Sequence, residues 1–499
     1  MPGRLGRPGP HACPLLARRR GAAGAHQRPR APRRDRTGAH VTRGRAEVAE
    51  PFPDTAEIQD GRLRTLGGIA VEELAERFGT PLWLVDRATL EGRMRAYREA
   101  FAAQEAVLGA TTTVVYAAKA LCVRGVLELA DDCGLWVDCA SGGELATARA
   151  AGIDPRRIVL HGNNKSVAEL RDAVDAGVGR IVIDSLSELA RLEGIAEAAG
   201  RVVPCHLRVT PGVDAHTHEF VATGHDDTKF GLTLSLGLAH EGAARLVASR
   251  WLDLVGVHCH VGSDILRLDP YHAAADVMVR FLAEVRATHG AEVGELNLGG
   301  GLGISAVPGD VPPELPTYAA DLTAAVAEAA DAHGLTARPH LFVEPGRSIA
   351  GPAGVTLYRV GTIKELPGLS TYVAVDGGMS DNPRYPLYQA PHTFAPAGAV
   401  ARDGTPRPVT VVGKHCETGD VLGEGVSLPS DLAEGDLLAV AATGAYNHAM
   451  ASNYNRLPRP AMVLVGEGWA VELVRRETVE DLLAREPSLR DARPPVPRP

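Results

Sequence analysis

The stretch TTVVYAAK, residues 112–119, is a β-branched run that ends in a lysine, and it opens a repeating pattern. LWVDCAS (135–141), RIVLHG (157–162) and RIVIDS (180–185) follow, each an apolar run closed by small or polar residues. Their ends, near Lys119, Ala140, Gly162 and Asp184, lie just over twenty residues apart, the length of one strand, one helix and two short loops. Between them stand GELATARAAG (143–152), SVAELRDAVDAG (166–177) and SELARLEGIAEAAG (187–200), with apolar residues recurring at three and four positions, as on one helix face. Four more runs complete eight strands: CHLRVT (205–210), LVGVHCHVG (254–262), ELNLGGG (295–301) and LFVEPG (341–346). Eight βα units over roughly 250 residues predict an α/β fold, the TIM (β/α)8 barrel. Near-continuous apolar strands fit a parallel sheet covered on both faces. Polar residues at nearly every strand end favour the closed barrel over a doubly wound open sheet.

After Gly351 the texture changes. GVTLYRVGTIKEL, TYVAVDGGM, RPVTVVG, DLLAVAATGAY and RPAMVLVGEGWAVELVRRE alternate and turn at short intervals, which reads as antiparallel strands of a second, β-rich domain. Upstream, VEELAERFG (71–79) and PLWLVD (81–86) read as a helix and a strand that pack with that domain. The expected division is therefore a basic extension at 1–50, an N-terminal segment at 51–90, the barrel at 91–350, the β domain at 351–486 and a frayed Pro/Arg-rich tail at 487–499.

A chain of 499 residues buries a large core without disulfide help. Its seven cysteines are odd in number and lack zinc-like spacing, as expected of reduced thiols in the cytoplasm. No window approaches the roughly 18 apolar residues of a membrane span. Charge is uneven. Residues 1–50 hold twelve Arg and no Lys against Asp35, Glu47 and Glu50, while the rest carries 40 basic and 58 acidic side chains. An acidic body argues against general nucleic-acid binding. In the basic head, the run Arg18–Arg20 is followed by polar residues rather than the apolar stretch of a secretory signal. Translation is expected to begin nearer Val41.

In a TIM barrel the site lies at the carboxyl ends of the strands. Lys119 ends the first strand. A lysine there is either a snorkelling surface residue or a desolvated amine that loses its proton easily and acts as a Schiff-base nucleophile. The seventh strand ends in Gly299, Gly300, Gly301 and Gly303. Glycines let backbone N–H groups approach an anion, and barrels often bind phosphate after strands seven and eight. The eighth strand ends VEPGR, with Glu344 at the mouth and Arg347 three residues on. A carboxylate beside a pyridine nitrogen favours its protonated form, the electron sink of carbanion chemistry. The bland reading is a surface Glu–Arg pair. His258 and His260 alternate on one face of the sixth strand. Without a third ligand of clear spacing no metal is expected, and a flat ring stacked on a flat cofactor fits as well. Ser263 could donate to a phosphate.

Taken together, YAAKA, VDCASGGEL, HGNNKS, TPGVDAHTHEF, KFG, HCHVGSDI, LNLGGGLGI, EPGRS, VDGGMSDNPRYPLY, GKHCETGD and TGAYNHAMASNYN closely resemble the bacterial diaminopimelate decarboxylases, from about residue 55 to 480. That family pairs an alanine-racemase-like barrel with a C-terminal β domain and uses pyridoxal 5'-phosphate. The resemblance implies that Lys119 carries the cofactor, that Gly299, Gly300, Gly301 and Ser263 bind its phosphate, that His260 stacks on its ring and that Glu344 faces the pyridine nitrogen. Pro345, Gly346, Arg347 and Tyr446 would complete the cofactor's surroundings. Arg347, Arg384, Tyr388 and Tyr446 would grip the substrate's far end. Cys416, as proton donor, and Glu417 would come from the partner subunit of a homodimer. The chain departs from the family at Leu121, at Thr210, at Tyr385 and Pro386, and at Asn447 and His448, the last two beside Tyr446.

The implied reaction removes carbon dioxide from meso-2,6-diaminopimelate to give L-lysine, the last step of lysine biosynthesis. Arg347 and Arg384 can clamp the distal carboxylate, which ornithine and lysine lack. The alternatives are a related decarboxylase of ornithine, arginine or a carboxylated polyamine, a racemase on the same barrel, or a non-catalytic homologue acting as a binding partner.

Overall fold

A computed structural model describes residues 51–213 and 228–490. The expectations for residues 1–50, for the part of TPGVDAHTHEF from position 214 and for the end of the tail lie outside the described residues.

All eight sequence runs form strands: β1 Thr112–Ala117, β2 Trp136–Cys139, β3 Ile158–Leu160, β4 Arg180–Ile183, β5 Val203–Thr210, β6 Leu252–His258, β7 Glu295–Asn297 and β8 His340–Val343. Each pairs in parallel with the next, and β8 pairs with β1, so the sheet closes. A two-residue strand, Leu232–Thr233, adds to β5 outside this ring.

The helices that follow β2, β3 and β4 start alike. Ser141, Ser166 and Ser185 each accept a hydrogen bond from the backbone of a glutamate three residues on, and Ser166 with Glu169 completes a capping box. Each cap satisfies one of the free N–H groups of a helix start and contributes about 1 kcal/mol. The recurring serine also sets where each strand-end loop stops.

Val115, Val159, Val182 and Phe342 fill the barrel interior. Below them Glu295 accepts from Arg180 Nε at 2.7 Å and from His206 Nε2 at 2.6 Å. Burial disfavours the Glu295 charge, but the bonds from Arg180 and His206 outweigh it and hold the carboxyl at about 2. An ion pair thus stands at the floor of the barrel.

Among the described residues the second sheet has twelve strands, from Glu57–Gln59 to Trp469–Val474. The strand Leu82–Asp86 lies between Gly354–Leu366 and Ala461–Gly466. Leu63, Leu66, Leu74 and Leu84 share one core with Val355, Leu357 and Val463. The expected antiparallel order holds only in part. Ser370–Val375 pairs in parallel with Pro406–Val412, and Ala461–Gly466 pairs in parallel with Leu82–Asp86. Alternation reports one buried face of a strand and not the direction of its neighbour. Among the described residues, no helix is long and apolar enough to cross a membrane.

Candidate active site

A cavity of about 620 Å³ opens at the barrel mouth, lined by Lys119, His161, Arg208, His258, His260 and Glu344 among others. That volume suits a small-molecule site. Lys119 stands on a short 3-10 turn directly after β1. Glu344 follows β8 and is 5% exposed. The backbone joins these two strand ends, because Ala117 N donates to Pro345 O at 3.0 Å.

Glu344 is surrounded by donors. Its Oε1 accepts from Asn297 Nδ2 at 2.7 Å and from His161 Nε2 at 2.8 Å, and its Oε2 from His258 Nε2 at 3.3 Å. Burial alone would push this carboxyl up, but the two imidazoles outweigh it and hold the group well below the usual carboxylate range. Burial in turn keeps His258 neutral, with its pKa well below the ordinary value. The alternative of a surface pair with Arg347 does not form, since Glu344 faces inward and Arg347 donates from Nη2 to Ser263 Oγ at 3.0 Å.

The reading of Lys119 as an easily deprotonated amine is corrected. Burial does lower its pKa, but the carboxylates of Asp138 and Glu344 outweigh that effect and the net shift is upward. Asp138 itself is buried and pushed up to about 6 by burial, against the pull of Lys119 and His161. Its Oδ1 has no hydrogen-bond partner among the described residues. His260 lies on the cavity wall, held at about 3 by burial and by the nearby Lys119 and Arg208. Its ring is therefore neutral, as suits stacking.

The glycine run is tightly enclosed. A Cβ on Gly300 would fall 2.0 Å from Glu344 O, and one on Gly301 would fall 2.3 Å from Gly262 O. Gly299 and Gly301 also take left-handed φ values of +67° and +109°. Side chains are excluded here, so the loop brings bare backbone beside Gly262 and Ser263. Gly346 is similarly confined, 2.9 Å in the same sense from Ala117 Cβ.

A second group gathers around Tyr446, whose backbone N donates to Ala120 O at 2.8 Å, next to Lys119 in the chain. Tyr446, at φ +61°, places its ring 4.9 Å from the Arg347 guanidinium and 5.8 Å from that of Arg384. Arg384 is 8% exposed and makes no ion pair among the described residues. Its guanidinium also lies 5.3 Å from the ring of Tyr388, which is exposed. The departures at Asn447 and His448 turn elsewhere. Asn447 Nδ2 donates to Thr443 O at 2.9 Å, and His448 meets Trp83 edge-on at 5.1 Å.

Cys416 and Glu417 are not brought to the Lys119 cavity of their own chain. Both are exposed on the loop after Pro406–Val412. Cys416 N donates to Asn455 Oδ1 at 2.8 Å, and Tyr454 Oη donates to Glu417 Oε2 at 3.3 Å. Asp420 fixes the loop from below, accepting from His415 N and Nδ1, each at 2.8 Å, and from Met379 N at 2.7 Å. Sequence reasoning gave no role to Asp138, His161, Arg208 or Asn297. Each stands within two residues of the carboxyl end of a barrel strand, and that position was the available signal.

The pyridoxal-dependent decarboxylase pyridoxal-binding domain family matches residues 87–351. Diaminopimelate decarboxylase of Mycobacterium tuberculosis is 46% identical over 429 residues, covering 84% of this chain and 94% of its own. The chain belongs to the diaminopimelate decarboxylase family. The Bacillus subtilis member is 44% identical over 427 residues, covering 85% of this chain and 95% of its own. The crystal structure of diaminopimelate decarboxylase from M. jannaschii with L-lysine superposes with a TM-score of 0.80 at 33% identity, covering 87% of this chain and 98% of that one. Pyridoxal phosphate, the cofactor of this decarboxylase family, fits the residues present. The cavity offers an amine at Lys119, a carboxylate kept ionised at Glu344 and a neutral flat ring at His260, and the side-chain-free loop Gly299–Gly301 lies against its Glu344 and Gly262.

Proposed function

We propose that this chain converts meso-2,6-diaminopimelate to L-lysine and carbon dioxide, as a homodimer in the cytoplasm, at the end of lysine biosynthesis. The observation that carries the reading is the Lys119–Glu344 cavity together with a buried Arg384, unpaired among the described residues, whose guanidinium lies 5.8 Å from the ring of Tyr446.

When bound, pyridoxal phosphate supplies an electron sink for the pair left by the broken carbon–carbon bond. Lys119 would hold the cofactor through its side-chain amine. Gly299, Gly300, Gly301 and Ser263 would bind its phosphate, Pro345, Gly346, Arg347 and Tyr446 would complete its surroundings, and His260 would stack on its ring. Glu344 keeps a negative charge where the ring nitrogen must stay protonated. Arg347, Arg384 and Tyr388, with Tyr446, bind the distal carboxylate, and the partner's Glu417 meets the distal ammonium. The partner's Cys416 returns a proton to the carbon that lost its carboxyl group. The barrel at 91–350 thus supplies the cofactor site, the β domain at 351–486 with residues 51–90 supplies the substrate grip, and 1–50 and 487–499 are extensions.

The test is product analysis. Purified enzyme with pyridoxal phosphate releases L-lysine and carbon dioxide from meso-diaminopimelate and works far more slowly on ornithine, arginine and carboxylated polyamines. Equal or faster release from one of those amines overturns the substrate assignment.

A further inference from the structure

His161 lines the cavity yet has no part in the reaction described above. It directly follows β3, and its backbone N donates to Cys139 O at 2.7 Å. The chain then turns at Gly162, where φ is +130°. Lys165 returns beneath that turn. Its Nζ donates to Gly162 O and to Val182 O, each at 2.7 Å, and pairs with Glu188 at 2.8 Å, with both side chains almost wholly buried. The backbone on both sides of His161 is therefore pinned, which limits the directions its ring can take.

That ring meets Glu344. Because a carboxylate only accepts, the 2.8 Å contact means that His161 Nε2 carries the proton and donates it. The ring also stands edge-on to His258 at 4.8 Å, and His258 donates to the other carboxylate oxygen at a longer 3.3 Å. The two oxygens are thus unequally served. Oε1 takes two short bonds, from Asn297 and His161, and Oε2 takes one long one.

We propose that His161 is a positioning residue for Glu344, anchoring Oε1 so that Oε2 is the oxygen presented to the cofactor's ring nitrogen. This rests on the cofactor placement proposed above. Hydrogen bonding to the carboxylate also accounts for the closeness of the three groups, whose ligand atoms lie within 4.8 Å of one another. Ring-nitrogen protonation alters the absorbance of bound pyridoxal phosphate, so the role has a readout separate from turnover.

The experiment compares full-length holoenzymes carrying His161→Leu, His161→Gln and Glu344→Gln. H161L is expected to bind the cofactor with its visible spectrum displaced in the same direction as in E344Q. Its kcat on meso-diaminopimelate falls about tenfold or more, the scale of a lost bond to a charged group, while KM moves little. H161Q places an amide N–H near the same point and recovers both the spectrum and most of kcat. A wild-type spectrum and kcat in H161L overturn the proposal, as does a folded H161Q that recovers neither. If H161L does not fold, His161→Asn, too short to reach Glu344, takes its place under the same two criteria. If the wild-type enzyme itself leaves meso-diaminopimelate intact, the substrate assignment fails, while the spectral comparison still decides the role of His161.

Discussion

Tyr446 donates its backbone N–H to Ala120 O at 2.8 Å, which ties the ring beneath Arg347 and Arg384 to the turn that carries Lys119. The two ends of the site are therefore set by one short backbone link between the β domain and the barrel. A left-handed Tyr446 is an unfavourable conformation for a bulky residue, and such strain recurs at functional sites.

Arg384 gives the most direct check on substrate choice. It is a buried cation with aromatic faces around it and no ion pair among the described residues. Arg384→Met should lower kcat/KM for meso-diaminopimelate about ten- to hundredfold, mainly through KM, as expected for a lost charge-assisted bond. Steady-state kinetics measure it. An unchanged KM would remove Arg384 from substrate binding.

Cys416 tests the shared site. Its loop is held by hydrogen bonds and does not line the Lys119 cavity of its own chain. Lys119→Ala and Cys416→Ala should each lose nearly all turnover. If the two variants are dissociated, mixed and reassociated, half the dimers are mixed and each holds one intact site. About a quarter of wild-type activity should return. Mixing with no recovery would mean that Cys416 acts in its own chain or not at all.

Asp381 predicts a pH effect on stability away from the chemistry. It accepts from Tyr358 Oη and from Gly378 N. Burial pushes it up to about 7, against those two bonds. In the unfolded chain an aspartate ionises near about 4. Between these values the folded state binds more protons, so the contribution is fully present below about pH 4 and is lost as pH rises to about 7. Asp381→Asn should flatten this loss, by at most about 3 kcal/mol, in urea unfolding at pH 5 and pH 8. Parallel losses in both proteins would exclude Asp381 as the source.

Much of this was legible in the chain. The eight barrel strands could be read because each is a short apolar run closed by small or polar residues, the first four at a regular interval, and Lys119, His260 and Glu344 because each stands at or just beyond the end of such a run. The strands Phe394–Ala397 and Val421–Pro429 were missed, since FAPA carries a proline and VLGEGVSLP two glycines, which interrupt the pattern. The protonation of Lys119 was misread because burial is local to a residue, whereas the opposing charges of Asp138 and Glu344 come from other strands. The same holds for His161: its partner lies 183 positions away, and only barrel closure brings them together.

The chain has five lysines, at positions 119, 165, 229, 364 and 414, and this makes the central claim simple to test. Borohydride reduction of the holoenzyme fixes pyridoxal phosphate to the lysine that holds it, and peptide mass mapping then locates the added mass. The label should fall on the peptide containing Lys119 and on no other. Label at Lys165, Lys229, Lys364 or Lys414, with Lys119 unmodified, would contradict the account.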